Sequence, residues 1–323
     1  MENHIVSKTR IDWIDWMKTI GIYLIVLGHF FPIGSKYIYA FNVPLFFIIS
    51  GFLCKKETST TMFWKKLLYN LIIPLIIICS INFLYDCILA FINGNFKLGN
   101  IIEWGVELCL GFHSSLANCW FIYTLIIIKI LFQFCSNKTF YTVIIIGLIL
   151  AYIYNTYTIN LFKSSNSIIN VTTALPFFGL GVYTNKYKNA LNYLDINLLV
   201  KLGGVSILLL IISATYNDYV WMYLGDYGCY ISLFILGGIA GTFIIFALSK
   251  ILGKSPFFVK KISSGTIIIL GFHSVLIKVC RHFFDSSLLD YVLAIVITIL
   301  FIPIIMMAER YFPIILGKYR LKG

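Results

Sequence analysis

Long apolar runs separated by short polar segments cover almost the whole chain. An α-helix needs about 20 apolar residues to cross the hydrocarbon core of a bilayer. The sequence predicts about ten such helices, at 12–32, 37–54, 66–92, 117–135, 139–158, 168–185, 199–215, 227–249, 262–281 and 288–312. The predicted fold class is therefore all-α, a polytopic integral protein of the cell (cytoplasmic) membrane.

Basic residues indicate how these helices are oriented. With the N-terminus inside, the cytoplasmic segments hold 20 of the 25 lysines and arginines. The five outside are Lys36, Lys97, Lys163, Lys278 and Arg281. Because Lys and Arg concentrate in cytoplasmic loops, we predict that both the N- and C-termini are cytoplasmic.

Composition supports this interpretation. With 60% apolar and 12% charged residues, a chain of 323 residues is too hydrophobic for a soluble enzyme of that size. No long polar stretch is left for a soluble domain, so we expect residues 1–323 to form a single membrane-embedded domain. The first apolar run lacks a small-residue cleavage site and is expected to be retained.

The net charge of +12 comes from short basic clusters between apolar runs, which topology explains better than nucleic-acid binding. The eight cysteines lie mostly within apolar runs and form no C-x-x-C pair. They therefore suggest small core residues, and no metal is expected. Cys109 and Cys119 flank a polar loop, and a disulfide between them is left as an alternative if the loop lies in an oxidising compartment.

The first two apolar runs form a hairpin that carries ionisable groups. Lys18 and His29 are eleven residues apart, which on a helix places them on one face and about 16.5 Å apart along the axis. Ile22 and Ile25 lie between them, and Asp15 is close enough in sequence to pair with Lys18. Ionisable groups within a membrane are energetically costly, so they indicate function.

Each of the polar residues in the hairpin has two interpretations. His29 can act as a general base, or it can simply hydrogen-bond a carbonyl at a helix end. Lys18 can bind a phosphate as a point charge, or it can anchor the helix by extending to the cytoplasmic interface. Asn42 can donate to a developing oxyanion, or it can cap the second helix.

Three segments of the hairpin carry a family resemblance: Ile14-Asp15 with Lys18, Ile25-Val-Leu-Gly-His29, and Phe41-Asn-Val-Pro-Leu-Phe-Phe-Ile-Ile-Ser-Gly51. This pattern resembles the membrane-bound acyltransferase-3 family, which includes O-acetyltransferases of cell-surface glycans, among them the fucose-acetylase-like subtype. Later landmarks similar to the family's are Trp120-Phe121, Pro176-Phe177-Phe178 and Gly271-Phe272-His273.

The resemblance implies about ten membrane helices, acetyl-CoA as the acyl donor on the cytoplasmic side, and a sugar hydroxyl as the acceptor. It implies that Lys18 and His29 are the essential basic residue and histidine. Ser50 and Gly51 match the family's Phe-Phe-x-x-Ser-Gly signature and are assigned to the donor, although Ser50 also suits close helix packing. Asn42 stands where many relatives of this subtype have a histidine.

Candidates for binding the acceptor lie toward the outer side. Trp120 can stack on a sugar face, or it can belong to the aromatic belt at the membrane interface. His113 and Glu107 lie in a polar outer stretch and are either substrate-binding or ordinary solvated residues. His273 falls near mid-membrane, where an ionisable residue indicates function unless a backbone carbonyl satisfies it.

The sequence therefore predicts a membrane O-acyltransferase that moves an acetyl group from cytoplasmic acetyl-CoA to a hydroxyl of a lipid-linked or cell-surface carbohydrate. Its expected partners are the lipid bilayer, the acyl-CoA and the carbohydrate. Two alternatives stay open. One is a transporter or flippase of a lipid-linked glycan, with Lys18, His29 and His273 as a proton relay. The other is a non-catalytic partner in polysaccharide assembly.

Overall fold

The computed structural model describes residues 10–97, 99–157, 167–284 and 288–318. These residues form α-helices joined by turns and loops, and an isolated β-bridge joins Trp221 to Asp226. The helices are α1 (Asp12–Gly28), α2 (Ser35–Tyr39), α3 (Asn42–Leu53), α4 (Thr60–Leu67), α5 (Ile73–Ile92), α6 (Gly99–Leu110), α7 (His113–Leu116), α8 (Trp120–Phe134), α9 (Asn137–Tyr157), α10 (Asn170–Asn185), α11 (Lys188–Asn192), α12 (Ile196–Asn217), α13 (Ile231–Leu252), α14 (Phe257–Ser264), α15 (Thr266–Phe283) and α16 (Leu289–Tyr311). A π-helical turn at Leu68–Ile72 joins α4 to α5, and 3₁₀ turns lie at Ala117–Cys119, Met222–Leu224 and Pro313–Leu316.

Seven helical segments in the described part of the chain are long and apolar enough to cross a membrane. They are Ser35–Leu53, Thr60–Ile92, Asn137–Tyr157, Ile196–Asn217, Ile231–Leu252, Thr266–Phe283 and Leu289–Tyr311. The prediction of a multi-pass, all-helical membrane protein is therefore confirmed. The other three predicted spans coincide with α1, α8 and α10, which have 17, 15 and 16 residues. The count of ten stays a prediction, as does the orientation of the termini.

Helix α1 lies in the middle of the bundle. It packs against α3, α13, α14, α15 and α16, and the side chains of Ile22, Val26 and Leu27 are almost completely buried. A helix surrounded in this way is apolar around most of its circumference. The few polar residues of α1 consequently face other protein segments or an internal space.

Two glycines set the contact between α3 and α10. A Cβ added to Gly51 would overlap the carbonyl oxygen of Phe178, and one added to Gly181 would overlap that of Ile48. Small residues at such positions let two helix backbones approach closely. Gly51 and Gly181 together fix how α3 lies against α10.

The predicted partner of Asp15 is wrong, and the disulfide that the sequence left open is not formed. Asp15 accepts hydrogen bonds from Arg10 Nε at 2.6 Å and from Ser263 Oγ at 2.6 Å, so its partner is Arg10 rather than Lys18. Arg10 can donate two parallel N–H hydrogen bonds to the carboxylate, which a lysine cannot do. Cys109 and Cys119 are both free thiols, one exposed and the other buried in the core.

Candidate active site

A cavity of about 510 Å³ opens between α1, α3, α8, α15 and the loop of residues 218–230. Ligand-binding pockets commonly have volumes of about 300–1,000 Å³. Six of the residues that the sequence predicts as site residues line this cavity: Lys18, His29, Asn42, Ser50, His113 and Trp120. They come from α1, α3, α7 and α8, so the fold brings together residues up to about a hundred positions apart in the chain.

His29 follows the last residue of α1 and presents a defined tautomer to the cavity. Its Nδ1 lies 2.9 Å from the carbonyl oxygen of Ile25. Because a carbonyl oxygen only accepts hydrogen bonds, Nδ1 carries the hydrogen in the neutral ring, and Nε2 keeps its lone pair. The helix-end hydrogen bond is therefore present and leaves Nε2 with its lone pair available, while the general-base role of His29 stays a prediction.

His273 packs directly against His29. The two rings meet edge to face with their centroids 4.6 Å apart, and the His273 side chain is completely buried. Its Nδ1 lies 2.9 Å from Ile269 O and 3.0 Å from Leu270 O, whereas its Nε2 has no hydrogen-bond partner among the described residues. His273 does not line the cavity, and its contact is with the ring of His29. This position differs from the contact with substrate that the sequence predicts.

Two lysines on different helices line the cavity. Lys18 comes from α1 and Lys129 from α8, and we call this region the lysine end. Lys129 Nζ lies 3.6 Å from Cys54 Sγ, and neither ammonium group makes an ion pair with any described residue. Ammonium groups without a carboxylate partner are available to bind phosphate.

The sequence pattern does not place Lys129 in the cavity and counts it only among the cytoplasmic basic residues. A signal was available, because Lys129 interrupts the apolar run from Ile126 to Phe132. A lysine inside such a run has the same energetic cost that draws attention to Lys18.

Between the lysine end and His29, the cavity wall is apolar and mainly aliphatic. Its side chains include Ile22, Ile25, Leu125, Ile267 and Leu270, together with the rings of Phe46 and Phe121. The prediction that Ile22 and Ile25 lie on the face between Lys18 and His29 is confirmed. Such a wall suits an uncharged, slender part of a ligand better than a charged one.

Beyond His29 the wall becomes aromatic. We call this region the aromatic end and define it by Phe31, Tyr39, Trp221 and Tyr223. His113 lies beside it, with its ring 4.7 Å from that of Tyr223. Burial lowers the pKa of the His113 imidazole, and the neighbouring His29 lowers it further, so His113 is neutral at pH 7.

Asn42 is buried at the beginning of α3 and lines the cavity. Its Oδ1 accepts a hydrogen bond from the backbone N–H of Val43 at 2.8 Å. This contact reaches only the next residue, so Asn42 does not cap α3, which has no side-chain cap hydrogen bond from the described residues. The Nδ2 group of the same amide is a hydrogen-bond donor, the type of group that stabilises an oxyanion.

Two other predicted residues lie away from the cavity wall. Gly51 is at the contact between α3 and α10, where it permits close packing. Glu107 accepts a hydrogen bond from Ser114 Oγ at 2.6 Å. Neither residue is among those that line the cavity.

A family model for an acyltransferase domain, acyltransferase 3, matches residues 11–307. The chain belongs to the acyltransferase-3 family. No curated protein and no solved structure matches it. The matched region of this acyltransferase-3 protein includes α1 to α15, most of α16 and every residue that lines the cavity. Membership points to a membrane acyltransferase and confirms the resemblance of the hairpin at the level of the family.

Proposed function

We propose that this protein is a membrane O-acetyltransferase that transfers an acetyl group from cytoplasmic acetyl-CoA to a hydroxyl of a lipid-linked or cell-surface carbohydrate. The observation that carries the proposal is the position of His29. Its Nε2 lone pair belongs to a side chain that lines a cavity with two unpaired ammonium groups at one end.

The shape of the cavity fits the donor. The phosphates of acetyl-CoA would bind Lys18 and Lys129, and the uncharged pantetheine arm would lie along Ile22 and Ile25. The eleven residues from Lys18 to His29 correspond to about 16.5 Å of helix. An extended pantetheine arm has a comparable length, so the thioester would reach the imidazole while the phosphates stay at the lysine end.

The proposed reaction uses His29 as a general base. As the acceptor hydroxyl oxygen attacks the thioester carbonyl carbon, Nε2 takes the hydroxyl proton. The new C–O bond forms and the C–S bond breaks. The departing thiolate then takes the proton back from the imidazolium, which releases the coenzyme as a thiol and returns His29 to its neutral form.

Two further residues assist this step in the proposal. Asn42 Nδ2 would donate to the carbonyl oxygen as it gains negative charge. His273 is a positioning residue, because its ring packs edge to face on His29 and restricts how that imidazole can turn. The hydrogen bond from His29 Nδ1 to Ile25 O restricts it further.

The test incubates the purified full-length protein in detergent with radiolabelled acetyl-CoA and a panel of glycan acceptors. We expect the wild type to transfer label to at least one acceptor and His29→Ala to lose the transfer. His282→Ala is the matched control, since His282 is exposed near the end of α15 and does not line the cavity. Wild-type protein that labels no acceptor, or His29→Ala that labels as well as the control, would overturn the proposal.

A further inference from the structure

We infer that the aromatic end of the cavity is the subsite that binds one pyranose ring of the acceptor, with Trp221 as its stacking surface. This inference rests on the proposed function, because it assigns the acceptor of the same reaction to particular side chains. Neither the family match nor the sequence pattern of the hairpin points to Trp221, which lies in the loop of residues 218–230.

Trp221 is the centre of a group of aromatic rings. Its ring centroid lies 5.3 Å from that of Tyr39, 5.6 Å from that of Phe31 and 6.1 Å from that of Tyr223. Phe31 and Tyr39 stack nearly parallel, with centroids 5.9 Å apart. All four side chains line the cavity that also contains His29.

The rings remain partly accessible. Phe31 is 54% exposed, and Trp221, Tyr39 and Tyr223 are half-buried. Exposed apolar side chains are common on this protein, so the position of these rings on the cavity wall, and not their exposure alone, distinguishes them. An accessible aromatic group that lines a cavity is therefore available to a ligand.

The backbone holds Trp221 in a fixed position. Trp221 N donates to Asp226 O at 2.8 Å, and Asp226 N donates to Trp221 O at 3.2 Å. The side chain of buried Asn217 donates to Tyr227 O at 2.8 Å and accepts from Tyr230 N at 2.7 Å, so it ties the two ends of the loop together. Tyr219 stacks on the Trp221 ring at 5.6 Å and hydrogen-bonds Ser35 through its hydroxyl.

Phe31 is held in an unusual backbone conformation. Its φ of 52° lies in the left-handed region, which bulky side chains rarely adopt. The turn is fixed by neighbouring contacts, because Phe31 N donates to Gly28 O at 2.9 Å and Tyr291 Oη donates to Ile33 O at 2.6 Å. Such conformations cluster at ligand-binding positions, and here the conformation belongs to a half-exposed ring two residues from His29.

The chemistry of this end fits a sugar ring. A pyranose has an apolar face of C–H groups that packs on an aromatic ring, and a rim of hydroxyl groups that needs hydrogen-bonding partners. The imidazoles of His29 and His113 lie in the same cavity as the rings and supply such partners. A lipid chain would instead match the aliphatic wall on the other side of His29, between that residue and the lysine end.

The experiment measures binding separately from transfer. Saturation-transfer NMR on the full-length protein in detergent uses methyl glycosides of a hexose, a 6-deoxyhexose and an N-acetylhexosamine as probes. We expect saturable binding of at least one glycoside to the wild type and an affinity about 10-fold lower for Trp221→Ala. Trp221→Phe should recover part of the loss, and the affinity for acetyl-CoA should stay within about 2-fold.

Trp104→Ala is the matched control. Trp104 also stacks on a neighbouring ring, with its centroid 4.5 Å from that of Phe83, but it does not line the cavity. This variant should bind the glycoside as the wild type does. Phe31→Leu provides a second test that does not depend on the folding of the 218–230 loop, and it should weaken glycoside binding about 3-fold.

Three results would overturn the inference. The first is wild-type protein that binds none of the glycosides, and the second is Trp221→Ala with the affinity of Trp104→Ala. The third is a Trp221→Ala variant that loses affinity for acetyl-CoA and still binds the glycoside, since the rings would then hold the adenine of the donor. Glycoside binding that depends on Trp221 without any acetyl transfer would support the subsite and reject the proposed reaction.

Discussion

The two ends of the cavity differ in chemistry although they share one wall. The lysine end has two unpaired ammonium groups next to aliphatic side chains, whereas the aromatic end has flat, partly exposed rings next to two imidazoles. The proposed reaction uses this difference, with an anionic donor at the lysine end, an uncharged polar acceptor at the aromatic end, and His29 between them as the base.

The largest effect is expected from a substitution of His29, which lies between the two ends. We expect His29→Gln to lower kcat about 1,000-fold with acetyl-CoA and equally with S-acetylpantetheine, a donor that lacks the phosphates. The reason is that in the proposed reaction His29 takes the proton of the acceptor hydroxyl, whichever donor is bound. Steady-state kinetics with both donors provide the measurement, and His282→Gln is the control. A loss confined to one donor would contradict the central position of His29.

Asn42 offers a smaller and more selective test. Asn42→Ser keeps a small hydrogen-bonding side chain and removes the amide Nδ2, so we expect kcat to fall about 100-fold. The thermal unfolding midpoint should stay close to that of the wild type. If kcat is kept, Asn42 Nδ2 does not donate to the oxyanion.

The lysine end is tested by Lys129→Met, which removes the charge and keeps a side chain of similar length. We expect the KM for acetyl-CoA to rise about 10-fold, because a charge-assisted contact to phosphate is lost. The KM for S-acetylpantetheine should not change. Lys138→Met is the control, since Lys138 is exposed at the beginning of α9. An equal rise in KM for both donors would place the phosphates elsewhere.

Much of the fold follows from hydrophobic pattern alone. The ten predicted runs coincide with helices because a long apolar run in a bilayer has few other stable conformations. The face shared by Lys18, Ile22, Ile25 and His29 was also predictable, since it depends only on the regular geometry of one helix.

The rest depends on contacts between segments that are distant in sequence. Asp15 pairs with Arg10 and Ser263, and no local rule selects Arg10 over the nearer Lys18. Trp221 joins the cavity through a loop whose shape depends on the side chain of Asn217. Local sequence therefore singles out His29 and Lys18, whereas Lys129 and the aromatic end join the cavity only when the helices are packed together.

The aliphatic wall between Lys18 and His29 has a consequence for the cell that contains the protein. A hydrated ion loses its water shell in a narrow hydrocarbon-lined passage, whereas a neutral, flexible chain does not carry that penalty. In the proposed reaction, this apolar section would let the pantetheine arm pass and would disfavour the passage of protons and metal cations. Acetyl transfer across the bilayer would then not dissipate the ion gradients of the cell.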